Sequence, residues 1–289
     1  MAHVAIVTDS VADIPGEIAK ALGISVIPLY IQFGLETFRD RVDMLEEEFY
    51  RKLESARELP KTSQPSPNDF LQVYRALLNM KKEIVSIHPT AQLSGTYNTA
   101  LLAREMLGSP AEIEVVDCKT GSAGQGLVVL EAARAALQGL SRGQIAELVK
   151  SMAGKVRMYV ALETLDYMAR NGRVGRAKVF MASLLRIKPI ITLLNGEIEP
   201  VDKVRGSSKV IPRLVDLCGE LIRSAKARAA ITHAKAYEQA RQLKAELESR
   251  LGLTDVMVSS MCPAVAANAG PGALAVAFYE PDEPEARKG

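Results

Sequence analysis

The sequence predicts an α/β fold with two domains. A mostly parallel sheet with flanking helices forms the N-terminal domain, and a second, α+β domain follows. In the first half, short apolar strand patterns alternate with helical patterns, which is typical of a parallel sheet. In the second half, Asn195-Gly196 between two apolar runs indicates a hairpin. We expect the first domain to span residues 1–154, the second 155–280, and a frayed tail 281–289.

The elements of the first half follow from apolar periodicity and helix-start signals. One helix start is indicated by Ser66 as the N-cap, Pro67 as the first helical residue and Asp69 as an acid in the first turn. Another is indicated by Ser141 and Gln144, which form a capping box. The predicted strands are Val4 to Val7, Ile24 to Phe33, Glu83 to Ile87 and Glu112 to Val116. The predicted helices are a segment capped by Asp13 that reaches Leu22, then Leu45 to Ser55, Phe70 to Leu78, Tyr97 to Leu107, a long helix to Leu137, and one ending near Met152.

The second half mixes a hairpin with helices, so we expect an α+β layer there and no repeat of the first half. Its predicted strands are Met158 to Leu162, Ile190 to Leu194, Glu197 to Val201, Arg228 to Thr232, Asp255 to Ser259 and Ala273 to Tyr279. Its predicted helices are about Val210 to Ile222 and Tyr237 to Leu251.

Composition excludes several function classes. The 36 basic and 34 acidic residues nearly balance, and aromatic residues make up 5% with no tryptophan, which argues against a nucleic-acid surface. No apolar run approaches about 18 residues and no signal segment is evident, so we expect a cytoplasmic protein without an integral membrane segment. Three scattered cysteines, Cys118, Cys218 and Cys262, suggest a reducing compartment. The three histidines are far apart and no Cys-x-x-Cys pair exists, so we expect no metal and no cofactor.

A candidate anion-binding site, here called the cradle, lies between Thr90 and Ala100, where a predicted strand ends and a predicted helix begins. Ser94, Gly95 and Thr96 should lie in the first turn, where unpaired backbone N–H groups and a partial positive charge favour an anion. No lysine or arginine lies between Lys82 and Arg104, so a singly charged carboxylate suits the cradle better than a triphosphate. The same residues also match an ordinary helix start with a tight glycine turn.

Two further loops carry polar residues that helix capping does not explain. In Lys61 to Asp69, the side chains of Thr62, Ser63 and Gln64 are left over once the helix start is assigned, and two prolines stiffen the loop. Near the end, Asn268 precedes Gly270-Pro271-Gly272, where the backbone needs unusual dihedrals. A different class of function also stays open: Ser94 or Ser122 as the nucleophile of a hydrolase or transferase, with His88 as the one nearby base.

The motifs taken together resemble the DegV family. They recur in order along nearly the whole chain: Thr8-Asp9-Ser10, Thr62-Ser63-Gln64-Pro65-Ser66-Pro67, Leu93-Ser94-Gly95-Thr96-Tyr97, Leu165-Asp166-Tyr167 with Gly172-Arg173-Val174-Gly175, Lys188-Pro189-Ile190, and Gly270-Pro271-Gly272. The resemblance implies a bacterial fatty-acid-binding protein, similar to the carrier subunit that presents a fatty acid to a separate ATP-dependent kinase. It implies no catalysis by this chain alone.

The resemblance also implies site residues. The carboxylate-binding residues carry over to Thr62, Ser63, Ser94, Gly95 and Thr96, and we expect Asn268 at the same carboxylate-binding site. We expect the acyl chain in an aliphatic tunnel between the domains. Asn268 stands where the family usually has a histidine, which removes a group that titrates near neutral pH.

A cluster of basic residues in the second half of the sequence has two possible interpretations. Taken alone, the arginines and lysine between Leu165 and Lys178 read as a solvated turn of helix. The resemblance implies instead a docking surface for the kinase, formed by Arg170, Arg173 and Arg205. Arginines would also offset the charge that an acyl phosphate adds.

Overall fold

The computed structural model describes residues 3–80, 82–108, 110–181 and 187–281. Apart from residue 281, the predicted tail lies outside these ranges. The described strands are β1 Val4–Asp9, β2 Ser25–Ile27, β3 Tyr30–Phe33, β4 Glu36–Arg39, β5 Lys61–Ser63, β6 Glu83–His88, β7 Ile113–Asp117, β8 Arg157–Ala161, β9 Ile187–Leu194, β10 Glu197–Arg205, β11 Arg228–His233, β12 Asp255–Ser260 and β13 Leu274–Tyr279. The described α-helices are α1 Gly16–Ala21, α2 Glu46–Ser55, α3 Pro67–Asn79, α4 Thr96–Met106, α5 Ser122–Leu137, α6 Arg142–Ala153, α7 Asp166–Arg170, α8 Val210–Gly219, α9 Tyr237–Leu251 and α10 Pro263–Ala269.

Two large sheets organise these elements. The first has the order β2-β1-β6-β7 and is parallel throughout. The second has the order β10-β9-β8-β13-β11-β12 and is antiparallel except for the pair β11 and β12. The predicted fold class is therefore confirmed: a parallel α/β sheet in the first half and a mostly antiparallel α+β sheet in the second. The exact boundary near residue 154 stays a prediction.

Helix α5 joins the two halves. It packs against β1 of the first sheet and against β11 and β13 of the second. Small residues allow close packing at the start of α5: a Cβ on Gly126 would lie 2.7 Å from the carbonyl oxygen of Ala12, in the turn after β1, and one on Gly124 would lie 2.3 Å from Thr120 Oγ1. Gly124 and Gly126 thus serve close packing.

Several local predictions are confirmed. Ser66 with Asp69 and Ser141 with Gln144 form complete capping boxes at the starts of α3 and α6. Asn195 and Gly196 have φ of 52° and 88°, as a tight hairpin turn between β9 and β10 requires. The Gly270 and Gly272 dihedrals, with φ of 78° and 84°, are also the unusual ones expected. Within the described ranges, no helix combines the length and apolar character needed to cross a bilayer.

Three local predictions are wrong. The single strand expected from Ile24 to Phe33 is two strands, because Pro28 lies between β2 and β3 and the two join different sheets. Asp13 does not cap the start of α1: Pro15 occupies that N-cap position, and Asp13, with φ of 51°, ends the short 3-10 helix Ser10–Ala12. The hydroxyl-rich loop contains a short strand, β5, which pairs with β3 in a third, antiparallel sheet of order β4-β3-β5.

Candidate functional site

A long apolar cavity lies between the two halves of the chain. Its empty space, including the part that is open to solvent, is about 1000 Å³. Most of its wall is aliphatic and comes from both halves of the chain; these residues are Leu29, Leu93, Met158, Val160, Leu162, Met168, Ile191, Leu193, Ile198, Met261, Ala264, Val265, Ala269 and Ala275. Such a wall favours an apolar ligand, because aliphatic side chains offer a polar ligand no hydrogen bonds.

Polar residues line the cavity both at its exposed mouth and deeper in its wall. Thr62, Ser63, Gln64, Ser94 and Gly95 line the mouth, where Ser63 and Gln64 are exposed. Thr90, Thr120 and Ser122 also line the cavity, but they are buried. The cavity therefore has a hydroxyl-rich opening and a mostly aliphatic interior with a few buried hydroxyls.

Strand pairing positions Thr62 and Ser63. In β5, Thr62 lies opposite Ile31 and Ser63 opposite Tyr30 of β3. The Tyr30 hydroxyl also donates to Asp69 of the α3 capping box at 3.0 Å, which ties β3 to the start of that helix. Both ends of the segment that carries the two hydroxyls are thus held in place.

The turn before α4 positions Ser94. The backbone N–H of Ser94 donates to the carbonyl of Thr90, and Gly95 occupies the N-cap position without a side-chain cap. Ser94 Oγ lies 2.8 Å from Thr96 Oγ1 and accepts from the Thr96 N–H at 3.3 Å. Thr96 is fully buried and does not line the cavity. Its hydroxyl orients Ser94 and does not reach the cavity itself.

Asn268 reaches the same cavity from α10, a helix that the sequence analysis did not predict. Its Nδ2 donates to the carbonyl of Ala264 at 2.9 Å, and its Oδ1 is buried without a hydrogen-bond partner among the described residues. The loop after it is tightly packed: a Cβ on Gly270 would lie 2.5 Å from the Tyr167 ring, and one on Gly272 would lie 2.4 Å from the Glu163 side chain. These contacts explain the two glycines and connect α10 with the Leu165-Asp166-Tyr167 motif.

The three arginines expected at a docking surface have different environments. Arg173 lines the cavity, and its guanidinium donates to the carbonyl of Asn171. Arg170 at the end of α7 and Arg205 at the end of β10 are exposed and form no ion pair with another described residue. Arg173 is the one cation among the described residues that line the cavity.

Ser122 lies in the cavity wall above a buried carboxyl group. Its hydroxyl donates to Asp13 Oδ2 at 2.6 Å and lies 2.9 Å from Thr232 Oγ1. Asp13 also accepts from the Cys262 N–H at 2.7 Å, so this cluster joins the two halves of the chain. Burial raises the pKa of Asp13 to about 7, and Arg41 and the two hydrogen bonds offset part of that rise.

Asp13 should make the free energy of unfolding depend on pH. Because its pKa is raised above the usual 3.8, its contribution to stability is complete below pH 3.8 and is lost as the pH rises through about 7. Urea unfolding should show that the free energy of unfolding falls, relative to an Asp13→Asn variant, by about 3 kcal/mol between pH 5 and pH 8. The same substitution at exposed Asp166 is the control. Parallel curves for wild type and Asp13→Asn would contradict this assignment.

His88 does not serve either serine. It is fully buried, with Nδ1 2.6 Å from Asp9 Oδ2 and Nε2 2.7 Å from Ser86 Oγ, and Tyr74 donates to Ser86 in turn. This Asp-His-Ser chain has the composition of a catalytic triad, but Ser86 and His88 are sealed inside the parallel sheet and line none of the cavities described. No histidine of the described ranges lines the main cavity, and no group of three potential metal ligands occurs in them.

Reasoning from the sequence missed part of this site. It did not find the Asp13 cluster, since Asp13 comes from a turn that looked like a helix cap. It noted Gln64 without assigning it a role. The wall residues could not be selected from the many aliphatic residues of the chain, because strand patterns alone do not show which face borders a cavity.

Comparison with known proteins places these observations in a family. Residues 3–281 match the family described as uncharacterised protein, DegV family. A DegV domain-containing protein of Caldanaerobacter subterraneus subsp. tengcongensis is 36% identical over 97% of this chain and 100% of its own length. Among solved structures, a fatty-acid-binding DegV family protein from Thermus thermophilus superposes with a TM-score of 0.91 at 30% identity, covering 96% of this chain and 100% of that one. DegV from Bacillus subtilis, a fatty-acid-binding protein, superposes with a TM-score of 0.86 at 31% identity, covering 97% and 100%.

Proposed function

Because this chain belongs to the DegV family, we propose that it binds a long-chain fatty acid. The carboxylate would lie between Thr62 and Ser63 of β5 and Ser94 and Gly95 at the start of α4, with the acyl chain in the apolar cavity. The observation that carries this proposal is the cavity itself, whose wall is mostly aliphatic and whose mouth is lined by Thr62, Ser63 and Ser94. Fatty-acid binding by solved relatives supports it.

The acyl tail and the head group contribute unequally to the binding free energy. Burying about fifteen methylenes at ~0.8 kcal/mol each contributes roughly 12 kcal/mol before ordering costs are subtracted. Each hydrogen bond to the charged head contributes only about 1.5–3 kcal/mol. The tail therefore supplies most of the affinity, and the hydroxyls supply orientation and the preference for a carboxylate.

The polar groups around the proposed carboxylate site favour a ligand with a single negative charge. Hydroxyls and helix N–H groups are neutral donors, and Arg173 is the one cation of the described wall. Asn268 adds an amide with a buried Oδ1 that lacks a partner among the described residues. We assign Asn268 to the edge of the head-group site, in the position where the family usually has a histidine.

Comparing two ligands of equal length tests the head-group assignment. Hexadecanoic acid should bind about tenfold or more tightly than 1-hexadecanol at pH 7.5, since the alcohol replaces a charged acceptor with one weaker hydrogen-bonding group. Competition against a fluorescent fatty acid measures both affinities under one condition. Equal affinities would contradict the carboxylate site while leaving the apolar cavity as a lipid site.

Head-group binding should depend little on pH between about 6 and 8. A fatty-acid carboxyl group is ionised throughout that window, and neither Asn268 nor the hydroxyls titrate in it. The dissociation constant for hexadecanoic acid should therefore change less than about threefold. A larger break that persists in Asp13→Asn would contradict this expectation, and one that disappears in that variant would trace the dependence to the Asp13 cluster.

We further propose that the chain presents its fatty acid to a separate ATP-dependent kinase. In that reaction a carboxylate oxygen attacks the γ-phosphorus of ATP, ADP leaves, and an acyl phosphate forms on the carrier. The exposed head-group end is accessible to a partner, and Arg170, Arg173 and Arg205 are suited to docking or to the added charge. The chain has no phosphate-binding loop of its own.

Hydroxylamine trapping tests this second step. Loaded protein with MgATP alone should yield no acyl hydroxamate, and addition of the kinase subunit from the same cell should yield it. Arg170→Glu and Arg205→Glu should reduce the yield without releasing the fatty acid, with Arg75→Glu, an exposed arginine on α3, as a control. Hydroxamate formed by this chain alone would contradict the carrier role.

The alternative of a serine hydrolase or transferase finds little support in the geometry. Ser94 is paired with Thr96, and Ser122 donates to a carboxyl group without an imidazole between them. A serine-directed probe should label neither residue. Labelling that Ser94→Ala or Ser122→Ala abolishes would favour the enzyme.

A further inference from the structure

Gln64 lies directly over the start of α4. If Gly95 carried a Cβ, that atom would lie 2.9 Å from Gln64 Nε2, 3.0 Å from Cδ and 3.2 Å from Oε1. Gly95 has ordinary right-handed dihedrals, φ −75° and ψ −1°, so its backbone conformation does not demand glycine. The missing side chain of Gly95 instead leaves the space that the Gln64 amide occupies.

The backbone that carries Gln64 is held on both sides. Thr62 and Ser63 before it are paired with β3, and Pro65 and the Ser66 capping box follow it. The side chain is exposed, yet its amide rests against Gly95 without a hydrogen bond to any other described residue. The amide N–H of Gln64 is therefore available to a ligand. The arrangement points to a partner that enters from the cavity, which both residues line.

We propose that Gln64 is a specificity-determining residue of the head-group site: its Nε2 donates to the fatty-acid carboxylate beside Ser94, and its amide covers the head group. This inference rests on the proposed function. Thr62, Gln64 and Ser94 line the same cavity, so Gln64 can supply a donor in addition to the two hydroxyls. An amide N–H rewards an ionised carboxylate, which only accepts hydrogen bonds.

Gln64→Glu tests this role because the two side chains have nearly the same shape. Glutamate replaces the donor with an acceptor and adds a negative charge beside the carboxylate. At pH 8, Gln64→Glu should weaken hexadecanoate binding by about thirtyfold or more and 1-hexadecanol binding by less than about threefold. Gln64→Leu should cost about tenfold for the acid, since it removes the donor without adding repulsion. Gln92→Glu, on the exposed turn before α4 and outside the cavity wall, is the matched control.

Gly95→Ala provides an independent variant, because its added Cβ displaces the amide without changing residue 64. It should show the same selective loss for the acid, with circular dichroism confirming that the variant is folded. If Gln64→Glu binds hexadecanoate as the wild type does, or loses acid and alcohol equally, the inference is overturned while the lipid site stands. If the wild-type protein binds neither ligand, the proposed function is overturned and the inference with it.

Discussion

Replacing Ala275 by phenylalanine is expected to abolish binding of hexadecanoic acid at micromolar concentrations. Ala275 is fully buried, lies in β13 opposite Val160, and lines the apolar cavity. A ring at this position occupies the space that the acyl chain needs. Excluding about eight methylenes at ~0.8 kcal/mol each removes roughly 6 kcal/mol of burial, a loss of more than four orders of magnitude in affinity.

Chain length separates a blocked cavity from a disrupted protein. Octanoic acid should lose far less affinity than hexadecanoic acid in Ala275→Phe, because its tail ends before the ring. Enlarging a buried alanine typically costs about 1–3 kcal/mol, so circular dichroism and the melting temperature of the ligand-free variant must show that it is still folded. Ala275→Val, which adds two methyl groups, should give an intermediate loss. Wild-type affinity for hexadecanoic acid in Ala275→Phe would contradict the assignment of the cavity to the tail.

The double substitution Thr62→Ala with Ser94→Ala should produce the second largest loss. Two hydrogen bonds to a charged group contribute about 3 kcal/mol or more together, so affinity for hexadecanoic acid should fall by about a hundredfold or more. Affinity for 1-hexadecanol should fall much less. Competition binding at pH 7.5 measures both ligands.

Thr37→Ala is the matched control for that substitution. Thr37 lies in β4, in the same small sheet as Thr62, but is exposed and does not line the cavity. It should leave both affinities unchanged. If the double variant keeps wild-type affinity for the acid, the two hydroxyls do not hold the head group.

Much of the fold follows from local sequence signals. The bounds of α9, Tyr237 to Leu251, were predictable because a long amphipathic pattern lies between turn residues. Capping boxes fixed the starts of α3 and α6, and Asn195-Gly196 the hairpin, because each depends on neighbouring residues alone.

Other features depend on contacts between distant segments and could not be predicted in this way. Asp13 is held by Ser122 and Cys262, more than a hundred residues away, and its short motif with Pro15 matches an ordinary cap. The three residues of β5 become a strand only because β3 is beside them. The contact between Gly95 and the Gln64 amide likewise depends on two loops that are distant in sequence, so the sequence alone does not predict it.

Some residues of the candidate site could likewise be predicted from local sequence, and others could not. Ser94 and Thr62 could be selected because hydroxyls at a helix start or in a stiffened loop are locally unusual, and the structure brings both to one cavity. The aliphatic wall could not, since its members look like any core residue. Its existence depends on how the two sheets leave space between them.

Mass spectrometry of an organic extract from the denatured protein, purified from a bacterial host, tests the central proposal most directly. We predict about one free fatty acid per chain in the wild type, and much less in Ala275→Phe and in the Thr62→Ala, Ser94→Ala double variant. A wild-type protein that carries no fatty acid, and takes up none when incubated with hexadecanoic acid, would contradict the fatty-acid-binding role.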